Sequence, residues 1–447
     1  MFESLTQLAG LAGTIASFLV VLGVVVFVHE FGHYIVARWC GIQSEVFSIG
    51  FGKELYGWTD SRGTRWRVAA LPLGSYVKFL GDRDSASAHP DSEALAGLSR
   101  EERAHAFPTA ALWRRAATVA AGPVFNFVLA ILIYAGVAFG MGLGSERPVI
   151  GQVAEEETTL QPGDTVLSVA GEPVERFDQI LNAYAAASEA EPGRSEFPVT
   201  VRREGDVVEL VTGPMVPPMV GRVAPGSPAD DAGLESGDRI LTIDGEAIGS
   251  FSDLQRKVAE AGESGVSLTV EPADGGEPYE TRITPTMNPA PTPDGGVEMR
   301  PLIGITAIPR IGPEAVTPGP LTAVSHGAER TWQVISSSLT YVGALVTGQA
   351  DSSALGGPIR IASLSGDAAA SGLVSFVAMI ALISASIGMI NLFPIPVLDG
   401  GHLLFYALEA VRGKPLNERL QEIATGAGLA AVILLMVFVT LNDLQSL

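Results

Sequence analysis

One cysteine, Cys40, stands in 447 residues, so the chain can close no disulfide within itself and offers no thiolate zinc site of the finger type. Charge is sparse as well: 17% of residues are charged beside a 47% hydrophobic fraction, and the mean hydropathy is +0.31. That balance points away from a purely soluble enzyme and toward a polytopic α-helical membrane protein. Basic side chains number 28 against 49 acidic ones, and the formal charge of −21 argues against nucleic acid as a partner. No Lys or Arg precedes the first apolar run and no small-residue cleavage pattern follows it, so it reads as a retained span rather than a signal peptide.

The charge-free runs are Leu8–Val28, Ala116–Gly144, Ala368–Leu398 and Ile423–Asn442. Each reaches the roughly 20 residues that a helix needs to cross a bilayer, so about four transmembrane helices are expected. Thr331–Ala350 is also uncharged but rich in Ser, Thr and Gly, and reads as an amphipathic or interfacial helix rather than a fifth span. The stretch from Arg38 to Arg115 carries eleven Lys and Arg, which places it in the cytoplasm and the N-terminus outside. With four spans, Ser145–Asp367 is then extracytoplasmic. Asp82–Glu93, polar and rich in Ser, Asp and Ala, reads as a mobile cytoplasmic loop. Val46–Gly52 and Trp66–Phe79 read as short strands broken by glycines, a membrane-associated β segment. Non-helical backbone near a bilayer is buried in protein or lines a wet cavity, so these strands are expected to edge a vestibule.

The outer segment repeats itself. Leu160–Val174 matches Leu234–Ile248 without a gap, each copy reading as a Gly-Asp turn, an alternating strand, a Gly turn and a helix, Phe177–Ala187 or Phe251–Ala261. The pattern resembles PDZ domains of the bacterial protease-associated type, which implies two PDZ-like α/β domains, 145–214 and 215–287. The first copy is four residues shorter between Val153 and Leu160, where it carries a Glu-rich stretch, and this puts its peptide groove in doubt. Peptide capture by strand addition and a purely steric role as spacer or filter both stay open. Pro285–Pro293 reads as a stiff linker. The division is therefore 1–144 and 368–447 for the membrane parts, with 288–367 as linker and interfacial helix.

Where the first apolar run ends stands His29-Glu30-Phe31-Gly32-His33. Residues four apart share a helix face, so both imidazoles can meet one Zn²⁺ while Glu30 serves water as general base. A catalytic zinc takes three protein ligands, and the remaining histidines, His89, His105, His326 and His402, lie in poor contexts. Asp399, in Asn391-Leu392-Phe393-Pro394-Ile395-Pro396-Val397-Leu398-Asp399-Gly400-Gly401, is the ionisable residue at the end of the third run. It is either the third ligand or a helix cap.

HEFGH in the first span together with NLFPIPVLDGG in the third resembles the site-2 protease family of intramembrane zinc metalloproteases. Gly122-Pro123-Val124-Phe125-Asn126, Ala70–Gly81 and Leu355–Ile359 look familial too. The resemblance implies that His29, His33 and Asp399 bind zinc, that Glu30 is the catalytic base, and that Asn391 holds the substrate backbone. An amide that both donates and accepts suits that task, the alternative being local pairing with backbone. For Asn126 it implies a supporting role between helices. It further implies a multi-pass protein of the bacterial inner membrane. Its substrates would be single-pass membrane proteins such as an anti-sigma factor already trimmed by a site-1 protease, or leftover signal peptides.

Overall fold

The apolar runs become long helices in the computed structural model, which describes residues 2–82, 92–154, 159–191, 193–224, 226–291, 297–348 and 356–445. The Asp82–Glu93 loop and the Glu-rich stretch after Val153 fall largely outside the described residues. Among the described residues, four helices are long and apolar enough to cross a membrane: Gly10–Trp39, Leu112–Met141, Leu373–Asn391 and Arg419–Leu444. The chain divides into two compact units. One comprises Met1–Val137, Pro320–Ser338 and Gly356–Gln445, the other Ala138–Gly319 and Leu339–Leu355.

In the first unit α1 (Phe2–Trp39) leads into β1 (Ser44–Thr59) and β2 (Arg65–Phe79), and then into α2 (Leu112–Met141). Both strands bend on themselves. Residues 44–49 pair antiparallel with 75–79 and, on their other side, in rising register with 65–68, while 54–59 pair antiparallel beyond them with 65–69. The result is a curved four-segment sheet whose edges are 75–79 and 54–59. Gly50, at a φ of 88°, sits at the bend, where a Cβ would stand 2.6 Å from the Leu71 carbonyl oxygen.

Helices meet through small residues, as expected where apolar packing alone gives no preference between lipid and protein. A Cβ on Gly32 would lie 2.6 Å from the Ala121 carbonyl oxygen, so α1 and α2 touch backbone to backbone there. The expected third span, Ala368–Leu398, is broken into three parts. A helix over Pro358–Ala370 ends at Gly372, which has a φ of 108°; Leu373–Asn391 is the spanning helix, and Leu392–Leu398 is a turn. Prolines 394 and 396 account for the second break, since neither can donate to a helix ladder. A further helix, Asp399–Arg412, follows the turn, and Glu418–Gln445 carries the last span. Of the expected Thr331–Ala350 helix, Thr331–Val346 lies in a helix over Pro320–Val346, which is not among these four apolar helices, and residues 349–350 lie outside the described residues.

The second unit holds the repeats. Thr165–Val169, Phe197–Arg203 and Asp206–Thr212 form one sheet with Glu172–Pro173; Arg239–Ile243, Val266–Glu271 and Tyr279–Ile283 form another with Glu246–Ala247, in the same strand order. Each sheet covers its own helix, Phe177–Ala190 or Phe251–Ala261, and its own core: Val166, Ile180, Phe197 and Val201 in the first, Ile240, Leu254, Leu268 and Ile283 in the second. Strand pairing departs from the boundaries expected at 214/215 and 287/288. Ile311–Pro313 pairs with Ile150–Val153, and Ile305–Thr306 with Arg222–Val223, so the second repeat is nested inside the first. Met215 and Ile311 belong to the first core and Ile303 to the second. The stretch read as a stiff linker begins a hairpin, Thr286–Pro291 with Val297–Leu302. Its prolines are tolerated because a two-stranded sheet consists only of edges.

Candidate metal centre and active site

His29 and His33 lie one helical turn apart on α1, both buried, with their Nε2 atoms 3.2 Å apart. Asp399 opens its helix opposite them. Its Oδ2 is 3.1 Å from His29 Nε2 and its Oδ1 3.5 Å from His33 Nε2. One ligand atom from each of the three lies within 4.8 Å of the others, and among the described residues this is the cluster able to hold a metal ion. Despite the 3.1 Å approach, Asp399 Oδ2 is buried without an aligned hydrogen-bond donor. A carboxylate oxygen left without a donor beside two imidazole nitrogens fits a cation: two nitrogens and a carboxylate are a zinc donor set with a coordination position to spare.

The turn before Asp399 brings it there. Gly401 packs so tightly that a Cβ would meet the Pro396 Cα at 2.5 Å. Arg115, near the start of α2, anchors the helix that Asp399 opens by an ion pair with Glu409 at 2.6 Å, and its guanidinium lies 5.0 Å from the Tyr406 ring centroid.

On α2, three positions spaced by four form the cradle for the histidines. Thr118 O is 2.9 Å from His33 Nδ1, and Asn126 Nδ2 is 3.2 Å from His29 Nδ1. Between them Gly122 leaves room for both rings: a Cβ there would stand 2.8 Å from His29 Cε1 and overlap His33. Such partners on the outer ring nitrogens orient metal-binding imidazoles. Gly388 lets the third span approach, with a Cβ there 3.1 Å from that of Asn126, and Ser384 donates to the Asn126 carbonyl at 2.8 Å.

A cavity of about 220 Å³ opens on the cluster, lined by His29, Glu30, His33, Asn391, Asp399 and Tyr406 among others. The five residues given metal, catalytic or substrate roles from the sequence, Glu30 and Asn391 included, thus reach one space. His402, set aside there, also lines it, three residues beyond Asp399 on the same helix face. Val77 and Phe79 add the 75–79 edge of the sheet, and the Val77 backbone is a hydrogen-bond partner of the Glu30 carboxylate. Thr118 and Tyr406 carried no local signal; both reach the site only through helix packing.

A peptidase family is what this constellation defines, and the chain belongs to one: the model for peptidase family M50, the site-2 protease family, matches residues 17–435. A chain of Agrobacterium fabrum whose name describes a zinc metalloprotease is 40% identical over 438 residues, covering 98% of this chain and 97% of that one. The regulator of sigma-E protease of Escherichia coli is 35% identical over 464 residues, covering 97% and 98%.

Proposed function

We propose that this chain is a zinc-dependent intramembrane protease in which His29, His33 and Asp399 hold the metal, Glu30 is the general base and Asn391 holds the substrate backbone. The convergence of two imidazoles, one carboxylate without a donor and Glu30 on a single cavity between apolar helices carries this reading. Zinc held there supplies Lewis acidity to the scissile carbonyl and to water. Glu30 takes a proton from the attacking water as the C–O bond forms, and returns it to the amide nitrogen as the C–N bond breaks. Asn391 and the 75–79 edge of the sheet, which lines the cavity at Val77 and Phe79, offer partners to the backbone of a substrate segment that must be unwound, because a helix hides its carbonyls.

The substrates on this reading are transmembrane segments of single-pass proteins in the bacterial inner membrane. An anti-sigma factor trimmed beforehand by a site-1 protease fits the mention of sigma-E in the name of the Escherichia coli relative, and signal-peptide remnants present the same chemistry. The nested repeats act as PDZ-like domains outside the cytoplasm, excluding substrates whose outer domains are intact. Glu30→Gln tests the centre of this proposal. Cleavage of a tethered substrate should vanish while bound zinc stays near one equivalent and uncleaved substrate accumulates on the mutant by mass spectrometry. Cleavage at the wild-type rate would remove Glu30 from the chemistry.

A further inference from the structure

The turn between β1 and β2 closes against the end of α1, and one carboxylate holds it there. Asp60 Oδ1 accepts from the backbone N–H groups of Arg62 and Thr64 at 2.9 and 3.0 Å, while Oδ2 accepts from Tyr34 Oη at 3.0 Å and from Arg38 Nη1 at 3.1 Å. Both oxygens are thus engaged, and Asp60 has little left for a second guanidinium. Arg62, further along the turn, is exposed, and its side chain has no ion pair among the described residues.

A cavity of about 260 Å³ lies between these groups and shares no lining residue with the one at the metal cluster. Tyr34, Arg38, Gln43, Ser44, Arg62 and His105 are on its wall. No carboxylate lines it, in a chain whose acidic residues outnumber the basic ones by 49 to 28. The wall is rich in donors instead: two guanidiniums, the Gln43 amide, and Ser44, whose buried hydroxyl has no hydrogen-bond partner. His105 is fixed beside them through Nδ1, 2.7 Å from the Gly41 carbonyl oxygen. Guanidiniums gathered without a lining carboxylate match the oxygens of a phosphate.

Position selects the kind of phosphate. Arg38 stands in the last turn of α1, the helix that carries the first apolar span, and its neighbour Trp39 is 71% exposed. An exposed tryptophan at the end of an apolar helix belongs at the headgroup level of a bilayer, where basic pockets take lipid phosphates. The volume falls below the ~300 Å³ at which drug-sized sites begin, so a headgroup fits better than a nucleotide. A zwitterionic headgroup would bring an ammonium to a wall that has two guanidiniums and no carboxylate. We propose that this cavity holds the phosphate of an anionic phospholipid with an uncharged headgroup, of the phosphatidylglycerol class, gripped by Arg38 and Arg62. Bound there, the lipid fixes the depth in the bilayer of the helix that carries His29 and His33. The inference rests on α1 crossing a membrane and is independent of the protease reading.

The test is lipid binding by the full-length protein in nanodiscs of equal parts phosphatidylglycerol and phosphatidylethanolamine, read by native mass spectrometry as the lipid retained on release. Expected for the wild type is one retained phosphatidylglycerol with no phosphatidylethanolamine in its place. Arg62→Met, at an exposed turn position whose backbone contact to Asp60 is kept, should weaken retention about 10- to 100-fold, the worth of a charge-assisted contact. Arg100→Met removes the same charge from an exposed position off the cavity wall and should leave retention unchanged. Equal retention of the two lipids, unchanged retention in Arg62→Met, or equal loss in both variants overturns the proposal. In a second arm, inorganic phosphate is titrated into delipidated protein in a nonionic detergent. Phosphate that binds through Arg62 and is not displaced by short-chain phosphatidylglycerol makes this a site for a soluble phosphate and overturns the lipid assignment. Displacement by that lipid, or no phosphate binding beside retention of the lipid, supports it. No substrate is cleaved in either arm, so failure here leaves the protease reading untouched.

Discussion

At Gly122 the absence of a side chain is the functional feature, because both proposed imidazole ligands rest on its Cα. Gly122→Ala places a methyl 2.8 Å from His29 Cε1 and overlapping the His33 ring, closer than real Cβ atoms approach, so both rings must shift to admit it. Displacing a ligand by about 1 Å commonly costs 10²-fold in rate. Gly122→Ala should therefore bind less than one equivalent of zinc and cleave about 100-fold more slowly, measured by metal analysis and a substrate assay on one preparation. Full zinc and full activity would mean that α1 and α2 separate without consequence. Asp399→Ala works from the opposite wall. It leaves two imidazoles, too few for a tight site, so zinc content and activity should fall together. Stoichiometric zinc with activity alone lost would demote Asp399 to a supporting role and send the search for a third ligand elsewhere.

Among the elements, the two repeats solve one problem in different ways. In each, an Asp after a glycine caps its own turn: Asp164 accepts from the Gln161 N–H at 2.8 Å and Asp238 from the Glu235 N–H at 2.9 Å. Asp238 completes its shell with the Ala273 N–H at 3.1 Å, whereas Asp164 takes a two-point grip from Arg203, at 2.8 and 2.7 Å. Burial pushes the Asp164 carboxyl up, but the Arg203 guanidinium and the Gln161 N–H outweigh it and hold the pKa below the usual range. A depressed carboxylate pKa stabilises the fold above its unfolded value, near 4, and that contribution fades as pH falls through the lower folded value. Arg203→Met should reduce hydrogen-exchange protection of Thr165–Val169 at pH 7 by about 10- to 100-fold, the ~1.5–3 kcal/mol of a charge-assisted hydrogen bond. Without the guanidinium, burial dominates, so acid should partly restore the mutant while it weakens the wild type. The same pH trend in both proteins would show that Arg203 does not set it.

What the sequence made legible at this scale was local. His29 and His33 share a face by spacing alone, the repeats align without a gap, and the apolar runs announce their helices. Non-local pairings left no such trace. Thr118 and Asn126 meet histidines 85 and 97 residues away. Three-residue Ile311–Pro313 is too short to show an alternation, and its partner lies on the far side of a whole repeat.

For the whole molecule, nesting decides how the repeat segment can be removed. Leu143–Gly144 pairs antiparallel with Ala315–Val316, so the chain enters and leaves the repeats through neighbouring strands. A deletion confined to 149–285 would strand Ile305–Thr306 and Ile311–Pro313 without their partners. Replacing Ser145–Glu314 with Asn-Gly instead closes the two strands as a tight hairpin, a loop that antiparallel pairs favour. On this variant the two roles open to the repeats predict opposite results. If they recruit substrate by strand addition, losing them lowers its effective concentration and slows cleavage of a trimmed substrate. If they act as a steric filter, trimmed substrate should be cut at the parental rate, and substrate with a folded outer domain, refused by the parent, should now be cut. The filter is the expected outcome, since exclusion needs bulk more than affinity and the first repeat is short where a peptide groove would form. Both substrates should be assayed side by side once the variant is shown to insert and hold zinc. Slower cleavage of the trimmed form with no gain on the intact one would reverse the assignment and make the repeats a docking site.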